Sequence, residues 1–228
     1  NAFDSCKIDS LTFPYDSEIE IFRYDCFSYA QIKKLQIPPK VEEINRALRN
    51  ITELDEIEIS QNNHNFILFN NQFILSKSND SIDKFDVLHF CMPNIEEAVI
   101  PAQISIIKES SFSSSHRNKK LKSIKFEANS ELKIIEKQAF DDAEIEDLLI
   151  PASVEKIGCE SFLSNFKLKS VRFPSNSKLK EISYSAFRNC KFESISIPAS
   201  VEYLEAFFVD NPNLFKIEVS PENKFFKL

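Results

Sequence analysis

A short apolar pattern, L-x-x-I-x-F in its general form, returns nine times along the chain. The copies are Ile8/Leu11/Phe13, Ile32/Leu35/Ile37, Leu54/Ile57/Ile59, Ile95/Ala98/Ile100, Leu121/Ile124/Phe126, Ile145/Leu148/Ile150, Leu168/Val171/Phe173, Phe192/Ile195/Ile197 and Leu214/Ile217/Val219. Their closing positions lie 22 to 26 residues apart, except for one step of 41 from Ile59 to Ile100. The alternation at I-x-F is that of a short strand with two side chains turned in and one out. Strands repeated in this way bury their inward side chains by stacking on one another as a parallel sheet. Pro follows the strand at Pro14, Pro38, Pro101, Pro151, Pro174 and Pro198. With no N–H to offer, it ends the ladder and turns the chain away.

A second apolar set has to close each coil: Val154, Ile157 and Phe162 in one unit, Ile182 and Ala186-Phe187 in the next. Phe3, Phe27, Phe112, Phe140, Phe162, Phe187 and Phe208 fall at one place in their repeats, which predicts an internal aromatic column. Longer identities confirm the period. Ile-Pro-Ala-Ser-Val-Glu begins at Ile150 and again at Ile197, with related copies at Ile37 and Ile100, and Ser177 to Pro198 aligns without gaps to Ser130–Pro151 and Ser17–Pro38.

Such a spacing falls in the leucine-rich-repeat range of roughly 20–29 residues. The expected architecture is an α/β-type repeat solenoid with a parallel β-sheet and short or irregular return segments. It is read as one solenoid over 1–228, with strand motifs near 8–13, 32–37, 54–59, 95–100, 121–126, 145–150, 168–173, 192–197 and 214–219. The long step holds an insertion at 60–94, in which two apolar runs, 65–69 and 73–76, flank Asn70-Asn71 and predict a β-hairpin followed by a polar loop. The end of the chain, from Val219 to Phe226, resembles the start of that insertion at Ile59 to Phe66. A fragment of a longer chain is therefore expected.

Composition changes this picture only in detail. Of 228 residues, 43% are hydrophobic and 28% charged, as in a folded soluble protein. The surplus of Phe, 22 against no Trp and one Met, is explained by the aromatic column. Gly158 stands alone, so turns fall to Asn, Asp, Ser and Pro, and a Gly-dependent phosphate loop is excluded. A net charge of −7 argues against nucleic acid or an anionic membrane as partner. No apolar run approaches the ~20 residues of a membrane helix, so no direct membrane insertion is expected of this segment. Five Cys cannot all pair within the chain; buried thiols, or one or two disulfides, are the open readings. Asn50 and Asn79 head N-glycosylation sequons, usable in a secreted protein.

The I-P-x-S-V-x-x-I, A-F-x-x-C and L-x-x-I-x-F elements together resemble the BspA-like, Treponema pallidum-type leucine-rich repeats over essentially the whole chain. The hairpin insertion and the S-x-L-x-x-I element are most similar to the trichomonad surface antigens of that family. The resemblance implies a curved solenoid with the parallel β-sheet on its concave face and short or irregular convex segments, and a scaffold for adhesion to host cells, matrix proteins or other microbes, at the cell surface or secreted. The cytoplasmic alternative is an intracellular scaffold of the same fold. Two departures stand out: Gly is nearly absent, and Ala30 and Ala143 replace part of the Cys column, which weighs against a disulfide ladder.

For chemistry the sequence offers little. His64, His89 and His116 lack metal-ligand spacing, and no hydrolase, metalloprotease or dinucleotide motif occurs. Asp141-Asp142 and Glu42-Glu43 read as solvated turns, and Cys91 and Cys159 as core thiols. Neither an enzyme nor a bound cofactor or metal is expected. A protein ligand is the expected partner, with the oligomeric state left open. On the concave face the candidates are Glu56, Glu58, Glu97, Lys125, Leu149 and Arg172; on the hairpin they are Phe69, Asn70, Asn71 and Phe73.

Overall fold

A computed structural model describes residues 2–44, 46–51, 53–79, 83–113, 121–206, 208 and 210–226. Its strands are numbered in chain order. Nine carry the repeated motif and make up a first wall in two stretches that do not pair with each other, β1 (Lys7–Leu11), β2 (Gln31–Ile37) and β3 (Glu56–Ile59), then β7 (Glu97–Ile100), β9 (Ser123–Phe126), β11 (Asp147–Leu149), β13 (Ser170–Arg172), β15 (Ser194–Ile197) and β17 (Lys216–Val219). Pairing within this wall is parallel and one repeat apart, with Leu35 opposite Ile57, Ala98 opposite Ile124, Leu148 opposite Val171 and Ile195 opposite Ile217. In β2, β7, β11 and β15 the inward positions are buried, as a period of two requires, whereas at the ends of the stack Ile8 and Leu11 are half-buried and Ile217 is exposed.

The return leg differs from the expected α/β-type coil. Among the described residues no helix forms. Instead, β8 (Ile106–Ile107), β10 (Ile134–Ile135), β12 (Lys156–Ile157), β14 (Glu181–Ile182) and β16 (Tyr203–Leu204) pair in parallel as a second wall. Each return leg leaves the first wall through a turn, and at Pro101, Pro151 and Pro198 a proline opens it, so too little uninterrupted chain remains to nucleate a helix. Ile107, Ile135, Ile157 and Ile182 then stack in register down this wall. The architecture is a parallel-strand β solenoid of leucine-rich-repeat type.

Between the walls lies the aromatic column. Phe112, Phe140, Phe162 and Phe187 stack face to face, with centroids 4.7, 5.1 and 5.2 Å apart. Phe3 stacks on Phe27 at 5.5 Å, and Phe208 joins through Phe192 by edge contact. Leu48 stands where the column would continue beyond Phe27.

The insertion forms β4 (Phe66–Phe69) and β5 (Phe73–Ser76), antiparallel to each other, with β5 antiparallel to β6 (Val87–Cys91) and β6 parallel to β8. This meander is apolar on both faces. Phe66, Ile74 and Phe90 belong to a core shared with Phe22 to Ile57, whereas Phe73, Leu75 and Leu88 belong to a second core running from Ala98 to Val201. A strand covered on both sides reads as an unbroken apolar run, which is how Phe66-Ile67-Leu68-Phe69 reads.

Candidate functional site

The outward side chains of the first wall are set by the pleat: those flanking an inward Leu or Ile must face out. Glu56, Glu58, Glu97, Lys125, Leu149 and Arg172 are all exposed. They do not form one site. Lys34 holds Glu56 at 2.6 Å, Gln36 donates to Glu58 at 3.5 Å, and Lys125 holds Glu97 at 2.8 Å. Hydrogen bonding and attraction to Glu56 raise the Lys34 ammonium above its ordinary pKa. Acidic and basic side chains of neighbouring strands thus pair with each other over much of this face.

Lys125, Leu149 and Arg172 do come together, around a hollow of about 700 Å³. Leu149 lies directly opposite Arg172 in the strand register, and Val99 opposite Lys125, so apolar and cationic side chains alternate across β7, β9, β11 and β13. Leu149 is 53% exposed and Val99 42%. The rim comes from the turns that leave the strands, with Glu127, Asn129, Pro151 and Pro174. The strand pattern says nothing of these turn residues; the only signal for them was the proline that ends the strand.

The hairpin is a weaker candidate. Asn70 and Asn71 both adopt left-handed backbone, φ 51° and 53°, and Gln72 N–H donates to the Phe69 carbonyl at 3.0 Å, closing a tight two-residue turn. Both Asn are exposed and Phe69 is half-buried. Phe73, however, is 1% exposed and packs against Phe112 at 6.2 Å, so it is a core residue and is withdrawn from the binding face. The continuous apolar run that marks a doubly covered strand was the overlooked warning.

Elsewhere several titratable groups are tied into the packing. Asp141 pairs with Arg49 at 3.0 Å, and Asp142 is buried, so this pair is no solvated turn; Glu42 and Glu43 are exposed. Cys91 is buried, and burial pushes its thiol well above the ordinary range; Cys159 is half-buried. All five Cys are free. His64 is exposed, while His89 is largely enclosed, bonded to the Ser76 hydroxyl at 2.7 Å, and burial, then Lys108, depress its pKa to about 4. His116, and Thr52 and Ser81 of the two sequons, lie outside the described residues; Asn50 is half-buried and Asn79 exposed. No group of three or more potential metal ligands occurs among the described residues, and no described helix is long and apolar enough to cross a membrane.

Sequence reasoning also missed a ladder of buried and half-buried polar side chains beside the aromatic column. Asn165 donates to the Phe140 carbonyl at 2.8 Å, Cys190 to Phe162 at 3.4 Å and Asn211 to Phe187 at 2.9 Å, each spanning one repeat. Asn63 and Asn223 share a second device. Each donates to two carbonyls of the preceding coil and accepts two N–H groups of the following segment, which explains the likeness of Ile59–Phe66 to Val219–Phe226.

The pneumococcal vaccine antigen PcpA is 36% identical over 57% of this chain, with a TM-score of 0.53. A leucine-rich repeat protein from Eubacterium ventriosum matches 95% of the chain at 22% identity and a TM-score of 0.70, which is a likeness of fold. The chain spans 31% of the first structure and 56% of the second. No curated protein matches the sequence. The model of the BspA type leucine rich repeat region matches residues 1–88 and 83–215, in six copies, and the chain therefore belongs to the BspA-type leucine-rich-repeat family.

Proposed function

We propose that this solenoid is a non-catalytic protein-binding surface that acts at the cell surface or after secretion, mediating contact with host cells, matrix or other microbes. The observation that carries this reading is the grouping of exposed Lys125, Leu149 and Arg172 around a hollow of about 700 Å³ on the first wall, with exposed Val99 opposite Lys125 in the register. Exposed apolar side chains set among charges give a protein partner both area and orientation. The pneumococcal relative, described as a vaccine antigen, supports an exterior location. A second reading, an intracellular scaffold of the same fold, is favoured by the five free thiols, which suit a reducing compartment. Antibody against the chain should label intact, unpermeabilised cells of the source organism. Labelling only after permeabilisation would instead establish the intracellular scaffold.

A further inference from the structure

Resting on that reading of the first wall, we infer that its partner is an extended acidic segment: a carboxylate within two residues of an aliphatic or aromatic side chain. The carboxylate takes Arg172 and the apolar group covers Leu149. The two outward columns of the wall hold four cations, Lys34, Lys125, Arg172 and Lys216. Lys34 is paired to Glu56, Lys125 to Glu97 and Lys216 to Glu218, at 2.6 to 2.8 Å. Arg172, among the described residues, has no ion pair, and its planar fork is the side chain best suited to grip a carboxylate through two hydrogen bonds.

Arg172 also stands between two hollows, the one of about 700 Å³ toward β9 and a second of about 480 Å³ toward β17. A chain lying along both would cross five strands, four intervals of ~4.8 Å, or about six extended residues at ~3.3 Å each. Leu149, opposite Arg172 in the register, gives the apolar contact one strand away. Beyond Arg172 the strand positions facing out are Ser194 and Ser196, and the second hollow is also lined by Lys169, paired to Glu146, by Lys191, and by Glu193 and Glu218, the last paired to Lys216. One free guanidinium suits one carboxylate. In the first hollow a phosphate or sulfate dianion would call for a second free cation, and the Lys125 there is committed to Glu97.

The test is a random hexapeptide display library selected against the whole chain, followed by fluorescence polarisation of the enriched peptides. Enriched sequences should carry Asp or Glu within two positions of an aliphatic or aromatic residue. Their binding should fall about tenfold or more in Arg172→Gln, as loss of a charged hydrogen bond implies, and in peptides with the acid replaced by its amide. Arg172→Lys should retain part of it. Failure to enrich any peptide, or enrichment of basic or neutral peptides indifferent to Arg172→Gln, overturns the acidic segment. Neutral peptides that still lose binding in Leu149→Asp would leave the wall as the binding face; indifference to both substitutions removes the wall as well.

Discussion

Turning the chain around each column residue takes left-handed backbone at non-glycine positions. Asp25, Arg46, Ser110, Gln138, Glu160 and Ser185 have positive φ two residues before the column, and Ser5, Tyr29, Asp142, Ser164, Asn189 and Asp210 two residues after it. An L side chain there costs roughly 1–2 kcal/mol, least for Asn and Asp and most for β-branched residues. Tyr29, at φ 53° and 59% exposed, carries that strain with little packing in return. Tyr29→Val is therefore expected to lower stability by about 1–2 kcal/mol, while Tyr29→Gly should be neutral or gain up to ~1 kcal/mol after the entropy of Gly is set against the relief. Urea midpoints at unchanged slope read both changes. A valine variant as stable as the parent would show that the loop escapes left-handed geometry.

At the level of elements, stability depends on how closely successive coils approach. Gly158 follows β12, and a Cβ built on it would lie 2.8 Å from the carbonyl carbon of Glu136 and 2.9 Å from the Ile135 oxygen. Both are backbone atoms of the preceding coil, and Gly158 N–H donates to that same Ile135 oxygen at 2.8 Å. Ordinarily Gly→Ala at a compatible site stabilises by about 0.4–1 kcal/mol. Here overpacking should reverse the sign, and Gly158→Ala should cost about 1–3 kcal/mol by prying β10 from β12. Thermal melting decides it, an unchanged or raised midpoint showing that the coils part freely. The inward and outward faces of the first wall were legible in the sequence, because a period of two leaves no freedom once Leu35, Ile57 or Leu148 is turned in. The second wall was not, since a two-residue strand such as β12 has no periodicity of its own and exists through register with β10 and β14. The same locality limited the candidate site. Outward Lys125 and Glu97 could be named from sequence, but their 2.8 Å pairing is a matter of neighbouring coils, as is the placing of Leu149 against Arg172.

For the molecule as a whole, the meander β4–β5–β6 is the joint between two cores, and His89 is the basic group built into it. Its Nε2 meets the Ser76 hydroxyl, the edge of the Phe66–His89 pair closes one side at 5.2 Å, and Arg46, Arg49 and Lys108 with Glu42, Glu43, Glu109 and Glu136 line the hollow beside it. Arg46 pairs with Glu109 at 3.2 Å and Arg49 with Asp141 at 3.0 Å, so the same region carries the ion pairs that tie the two halves. Burial first, and Lys108 second, hold the His89 pKa at about 4, against about 6.5 in an unfolded chain. The folded state thus resists a proton that the unfolded state accepts. The contribution is complete above pH ~6.5 and is lost as pH falls toward ~4, amounting to as much as roughly 3 kcal/mol. Asp86 lies outside that window. Burial opposes its charge, but hydrogen bonds from Ser105 and Ser78 outweigh burial and keep its pKa below the ordinary value, so it stays ionised throughout. Urea unfolding between pH 7 and pH 5 should therefore show a loss of stability that disappears in His89→Gln, whatever that variant's absolute stability. Amide exchange at pH 5 should rise first in β4, β5 and β6, because the added charge has nowhere to go but into the joint. An equal loss in parent and variant, or exchange that rises first in β11 to β15, would assign the acid sensitivity to other groups and leave His89 as packing alone.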